Sequence, residues 1–516
     1  MKSSTKLLLL LLSGSTYARE ATPQQAGQAA PLAFPTASGT ETAPPGIYEP
    51  SAPGFDLSRF VRFDGQIRFR YEYFDPFGYA PAQVTTADDA VLMRTRLGAL
   101  FGLHRHLAAR FQIQDSRIWG EEGFATSTSP AGSVTTSLDN LDLHQAYVEL
   151  KHLFEDFAGE DAVSLRVGRQ ELSFGDQRLV SPLDWSNVAR AWDAARLTIA
   201  PPEAPGGLQV DLFASIIRDT SSAATGGGPV GVSTVDEKQA FHGLYVAFRE
   251  LPPPDLGSWS DGKGQSRPIL GSHQLDLYTF YRDLADGSFT AEDGVTTGDV
   301  DDVTLGTRLG GELLRNSDGA GFDYSGELAY QIGSFAGDDI SAYGYALTAG
   351  YTLAGEWLSQ TKARVGLEYD YGSGDDDPND GDRGTFDPLF PFGHKYQGIQ
   401  DTFSWMNGQD LAFKLDLYPP KVTKISRAEL HYHLFWLSQA KDGWFNAGLA
   451  QIRRDPTGSS GNFVGSEIDV TLEYILLAPF AVLWLGYSHF LPGDFVQETG
   501  SEPSRDFVFA QLSVTF

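Results

Sequence analysis

The stretch SEIDVTLEY, residues 466–474, alternates without a break: Glu467, Asp469, Thr471 and Glu473 take one set of positions, and Ile468, Val470, Leu472 and Tyr474 the other. Successive side chains of a β-strand point to opposite faces, so this segment has one wet side and one dry side. Its period belongs to a strand and not to a helix. In a soluble sandwich the dry side would face a second sheet. In an outer-membrane barrel it would face lipid, and the carboxylates would face a water-filled lumen.

The same alternation recurs along the chain. GQIRFRYEYF sets Gln66, Arg68, Arg70 and Glu72 against Ile67, Phe69, Tyr71 and Tyr73. AARFQIQ sets Arg110, Gln112 and Gln114 against Ala109, Phe111 and Ile113, and RVGLEYDYG sets Arg364, Glu368 and Asp370 against Val365, Leu367, Tyr369 and Tyr371. RAELHYHLFW opposes Arg427, Glu429, His431 and His433 to Leu430, Tyr432 and Leu434. The separators come in two lengths. YPPKVTK is short, whereas EEGFATSTSPAGSVTTSLDN and GSGDDDPNDGDRGTFDPLFPFGHKYQG are long. Long connections are unusual inside a compact soluble domain and normal at the outer end of a barrel. About eighteen strands can be placed. A sandwich or propeller would need polar residues on its outer faces, where this chain repeats Leu, Val and Tyr. The expectation is an all-β protein, a transmembrane antiparallel β-barrel.

The ends of the chain agree. Lys2 and Lys6, the run Leu7 to Leu12 and the small residues before Ala18 read as a secretory signal, too short for a spanning helix. Residues 19–57 are rich in Pro, Ala, Thr and Gln with no apolar period and read as a disordered leader, leaving 58–516 for the barrel. The final DFVFAQLSVTF ends on Phe516 and looks like the signal that the barrel-assembly machinery reads. With no Cys, disulfides and thiolate metal sites are excluded. A net charge of -29 argues against nucleic acid, which needs clustered Lys and Arg.

Three longer segments carry a resemblance. GRQELSFGDQRLVSPLDWSNVARAWDAARL (168–197), SGDDDPNDGDRGTFDPLFPFGHKYQG (373–398) and GYSHFLPGDF (486–495), with SEIDVTLEY, resemble the alginate export family of outer-membrane porins. The resemblance implies a monomeric barrel of eighteen strands in the outer membrane. It also implies a charged lumen that passes an anionic uronate polysaccharide outward, fed in alginate producers by a periplasmic scaffold lipoprotein. Outer-membrane lipid would surround it.

For a carboxylate polymer, guanidinium groups on the lumen wall are geometrically matched and permanently charged. Arg68, Arg70, Arg94, Arg96, Arg110, Arg166, Arg308 and Arg364 fall on inward phases, interleaved with Glu327, Glu467 and Asp469. The same residues would equally serve as a salt-bridge ladder that stiffens a wet lumen. Asp184, Trp185, Asn187, Arg190 and Asp193 cluster polar and aromatic groups that could meet sugars at the barrel mouth, or could simply pack a loop around an interfacial Trp185. The Asp375–Asp382 acidic run invites calcium but departs from EF-hand spacing, and a solvated acidic loop is the simpler reading. His431 and His433 share a face with metal-ligand spacing, yet no third ligand is named by the sequence. No nucleophile-and-base constellation appears, so no enzyme and no cofactor are expected. An uptake porin for small acids or oligosaccharides remains the alternative within this fold, and an outer-membrane hydrolase using His431 or Ser404 the alternative outside it.

Overall fold

A strand that is apolar on one face and charged on the other is satisfied only when the first meets hydrocarbon or protein and the second meets water or counter-charges. The computed structural model describes residues 60–516 apart from 77, 80–86, 121–137, 160, 217–238, 252–253, 262–263, 291–296, 356–359 and 378–379. The expected signal (1–18) and leader (19–57) lie outside the described residues.

Eighteen strands form the wall: β1 (Val61–Asp75), β2 (Asp88–His104), β3 (Leu107–Trp119), β4 (Asp139–Leu150), β5 (Val163–Gln170), β6 (Trp192–Ile199), β7 (Leu208–Ile216), β8 (Gln239–Leu251), β9 (Leu270–Thr290), β10 (Thr297–Leu313), β11 (Gly321–Phe335), β12 (Asp338–Leu353), β13 (Lys362–Gly372), β14 (Gly408–Tyr418), β15 (Ile425–Leu437), β16 (Phe463–Leu477), β17 (Ala481–Pro492) and β18 (Arg505–Thr515). Each pairs antiparallel with the next. β1 also pairs with β18, Phe69 opposite Leu512, so the sheet closes on itself and leaves no free edge.

Parity sorts the side chains as the alternation requires. Ile468 and Val470 are 39% and 44% exposed, whereas Glu467 and Asp469 are 0% and 2%. Phe63, Phe69, Leu97, Phe111, Leu328, Leu347, Val365 and Leu367 extend the exposed apolar surface around the wall. In water such a belt would drive aggregation, and in a bilayer it matches the solvent. Tyr71, Trp119, Tyr343 and Tyr487 add outward aromatic rings in the half nearer the long loops, as an interfacial girdle requires.

Connections at one end are short, such as those after β2, β14 and β16, and this is the periplasmic end of a barrel. At the other end, two long connections fold inward rather than out. One follows β5 (residues 171–191) and the other follows β13 (residues 373–407). They pack on an inward-facing core that includes Phe174, Phe213, Phe241, Tyr278, Phe280, Phe386 and Trp405. Gly306 leaves the room that the Tyr278 ring occupies, since a Cβ there would overlap it. A second inward cluster joins Trp185 and Phe392 of the two loops to Phe74, Leu92, Phe507 and Phe509 of the wall.

Candidate functional site

Arg68 and Arg70 on β1 and Arg94 and Arg96 on β2 point inward because they are two residues apart on their strands. Arg68 stands directly opposite Arg94. Like charges in that position repel, and four buried guanidinium groups need acceptors. Loop 171–191 supplies them. Arg68 donates from Nη1 to the Asp184 carbonyl at 2.7 Å and from Nη2 to the Ser186 carbonyl at 2.9 Å. Arg94 Nη2 and Arg96 Nη1 meet the same carboxylate oxygen, Asp184 Oδ1, at 2.9 and 2.8 Å. Arg70 donates to the Trp185 carbonyl at 2.6 Å, lies 3.8 Å over the Trp185 ring and pairs with Glu72. Asn187 clasps the wall from the other side, donating through Nδ2 to the carbonyls of Met93 and Arg117, both at 3.2 Å. Burial alone would raise the Asp184 pKa. The guanidinium groups of Arg94, Arg96 and Arg68 overcome that and hold it well below the usual carboxylate range.

The two inward loops are joined to each other. Phe390 N–H donates to the Leu179 carbonyl and Ser181 N–H to the Phe390 carbonyl, at 2.9 and 3.0 Å, a parallel bridge at the centre of a short ribbon inside the barrel, and Phe392 N–H adds a bond to the Gln177 carbonyl at 3.0 Å. The Trp185 and His394 rings stack at 3.7 Å. Arg190 donates to the Pro391 carbonyl at 3.0 Å.

The wall holds this ribbon through further charges. Arg308 of β10 forms a fork on the Asp176 carboxylate, both bonds 2.7 Å, and also reaches Asp276 at 2.7 Å. Arg178 meets Asp370 at 2.7 Å and Glu368 at 3.2 Å on β13, with its guanidinium 3.7 Å over the Tyr396 ring. Arg282 of β9 pairs with Asp387 at 2.8 Å. Glu467 and Asp469 of β16 accept the backbone N–H groups of Gln400 at 3.0 Å and Ile399 at 3.3 Å. The neighbouring Gly398, at φ +80°, lies so close to Glu467 that a Cβ would collide with the carboxylate.

Below the loops, toward the short turns, the inward charges pair across the wall. Arg110 binds Asp64, with Nη2 to Oδ1 at 2.8 Å, and Arg166 binds Glu149 at 2.8 Å. Arg364 binds Asp323 through Nε at 3.0 Å. Beside the core that the loops pack on, Glu327 accepts the Tyr278 hydroxyl at 2.8 Å. All eight arginines expected on inward phases are inward, and each has at least one described partner that is a carboxylate, an amide or a loop carbonyl, with the Trp185 ring added at Arg70 and the Tyr147 ring at Arg166.

Two expectations are corrected. Asp184, Trp185, Asn187 and Arg190 do not stand at the barrel mouth. The arginine wall draws their loop into the lumen, so Trp185 is buried between Arg70 and His394 and is no interfacial anchor. Asp193 does not belong with them. Trp192 is buried inward on β6, so the next residue faces outward, where Asp193 is exposed and lies 3.7 Å from Arg169.

Other sequence candidates are absorbed locally. Asp375 accepts the N–H groups of Asp377 at 2.9 Å and Gly384 at 2.7 Å, which turns the acidic run, part of which lies outside the described residues. His433 meets Asp410 at 2.7 Å and His431 meets Asp416 at 3.2 Å. Asp416, Glu429 and His431 bring ligand-type atoms within 4.8 Å of one another, but Arg427 binds both carboxylates and Arg364 approaches Asp416 at 3.7 Å. Those guanidinium groups supply the counter-charge that a metal would. Ser404 Oγ accepts the Met406 N–H at 3.3 Å and, among the described residues, makes no bond to His431. Sequence reasoning missed Asp176, Arg178, Lys395 and Tyr396, which meet where the two loops touch. They sit in loops without an alternating pattern, so no period marked them.

A family model described as "Alginate export" matches residues 59–510. No functionally curated protein matches the sequence. Among solved structures, the outer membrane protein OprD of Pseudomonas aeruginosa is similar at 10% identity, covering 88% of this chain and 93% of that one, with a TM-score of 0.54. OccK11 (OpdR) of the same organism is similar at 12% identity, covering 88% and 96%, with a TM-score of 0.53. At such identities the likeness concerns the fold, which is that of outer-membrane porins. With a closed eighteen-stranded wall, an apolar outer belt and a charged interior, the chain belongs to the alginate export family and is a channel-type barrel of the outer membrane.

Proposed function

We propose that this channel passes an anionic polysaccharide, alginate or a polymer like it, outward by passive diffusion guided by lumen charge. The family match over residues 59–510 carries this reading. The lumen chemistry supports it. Arg110, Arg166, Arg308 and Arg364 present guanidinium groups along the inward wall, each beside a carboxylate that tempers its attraction. Passage needs contacts that are weak and repeated, so that the cargo can leave as well as enter. No cofactor takes part and no catalytic step is required. The cargo enters from the periplasmic, short-turn end, where a scaffold lipoprotein would deliver it, and the barrel works as a monomer in outer-membrane lipid after insertion by the assembly machinery.

The test is single-channel conductance of refolded protein in a planar bilayer, titrated with polymannuronate and with neutral dextran of similar length. Block by the uronate at micromolar to millimolar levels but not by dextran is the expected result. Conductance indifferent to uronate and saturating with small organic acids would replace this reading by uptake of small acids. The two long loops, which pack inside the barrel against its wall, are the observation that favours that alternative.

A further inference from the structure

At the level where the two inward loops meet, nearly every cation is already engaged. Arg178 is held by Asp370 and Glu368, Arg308 by Asp176 and Asp276, and Lys414 by Glu368 at 3.0 Å. Elsewhere on the wall, Arg94 and Arg96 share Asp184, and Arg68 is spent on backbone carbonyls. A guanidinium in a fork with a carboxylate is a poor attractor for a passing anion, because its charge and its donors are both satisfied.

Lys395 differs. It ends the short helical turn Gly393–Lys395 in loop 373–407, just after the ribbon residue Phe392. Lys395 is exposed, and among the described residues the one polar contact of its ammonium is the carbonyl of Asp176, at a long 3.4 Å. It lies 4.9 Å from the Tyr396 ring centroid and makes no ion pair among the described residues. That carbonyl is already taken by the Tyr396 hydroxyl at 2.5 Å. The Asp176 carboxylate is turned away to Arg308. Lys395 therefore keeps at least two donors and its positive charge for whatever occupies the lumen beside it.

We propose that Lys395, more than the carboxylate-paired arginines of the wall, is the residue that selects anions in this channel, by direct contact of its ammonium with a carboxylate or chloride crossing the junction of the two loops. The inference rests on the channel reading above, and for its uronate arm on the anionic cargo. A lysine at this place also makes selectivity depend on pH where an arginine would not. Although water reaches the ammonium, enclosure by the protein pulls its pKa down to about 8; the Asp176 and Glu368 carboxylates oppose that shift, and Arg178 and Lys414 add to it. These four, with the Tyr396 phenol, are the titratable and charged groups facing it from the other loop, β13, β14 and its own loop.

The experiment is the reversal potential in a potassium chloride gradient for wild type, Lys395→Gln and Lys395→Arg, each at pH 6 and pH 9.5, followed by polymannuronate block. Wild type should lose anion preference between the two pH values, by about threefold in the chloride to potassium permeability ratio. Lys395→Gln should show the lower ratio at both pH values, and Lys395→Arg the higher ratio at both. Wild-type selectivity and pH profile in Lys395→Gln would overturn the proposal. Block by uronate in wild type with no change in Lys395→Gln would sink Lys395 while leaving the polymer reading intact. A clear loss of chloride preference in Lys395→Gln with no uronate block of wild type would do the reverse. Lys395→Arg, which keeps the charge, controls for any disturbance of the loop.

Discussion

Arg94 Nη2 lies 2.9 Å from Asp184 Oδ1, joining the second strand of the wall to a loop ninety residues farther along the chain. Arg94 is completely buried, and Asp184 also receives Arg96. Removing the carboxylate by Asp184→Ala leaves two buried guanidinium groups without their shared partner, which costs about 3–5 kcal/mol for a broken buried pair. The expected outcome is a lower unfolding temperature and a larger, noisier single-channel conductance as loop 171–191 leaves the lumen. Conductance and stability equal to wild type would show that the bonds from Arg68, Arg70 and Arg94 to backbone carbonyls hold the loop without the carboxylate.

The same pair fixes a pH window. Asp184 has a folded pKa depressed below its unfolded value near 4, so its contribution to stability is present above about pH 4 and is lost as pH falls through the depressed value. Loop anchoring at this point should therefore be constant between pH 8 and pH 5. Limited proteolysis of loop 171–191 across that range is expected to show no change, with cleavage appearing only in strong acid.

Trp185 stacks on His394 at 3.7 Å and carries Arg70 on its other contact at 3.8 Å, so one ring ties two loops and the wall together. Trp185→Ala should cost about 3–5 kcal/mol, the range for deleting a large buried aromatic side chain. Cleavage by protease should then increase in both inward loops, 171–191 and 373–407. Cleavage confined to the first loop would mean that the backbone ribbon suffices to hold the second.

Gly398→Ala tests the lower anchor of loop 373–407. The residue has φ +80°, and its new Cβ would strike the Glu467 carboxylate that accepts the Gln400 N–H. Backbone strain of about 1–3 kcal/mol adds to loss of that bond. Thermal melts should fall by several degrees, and open-channel fluctuations should increase.

Asp193→Asn is expected to leave conductance, ion preference and uronate block at wild-type values, because Asp193 faces away from the lumen. A change in any of the three would place that side chain in the pathway after all.

The strand wall was legible from the sequence because a strand's two faces are set by a period of two, which is local. SEIDVTLEY, GQIRFRYEYF and RVGLEYDYG each assign their own inward and outward residues, and the parity read there is the parity in the barrel. Closure follows from the same fact, since an apolar belt repeated on every strand leaves only one face for lipid. What the tertiary structure decided is where the long loops go and which charges remain available. Arg68 to Asp184 and Arg308 to Asp176 span more than a hundred residues, and no local period can announce such contacts. Fold and wall chemistry therefore belong to the sequence. The occupation of the arginines by loop oxygens, and the exposure of Lys395 between them, arise only when distant segments compete for the same buried charges.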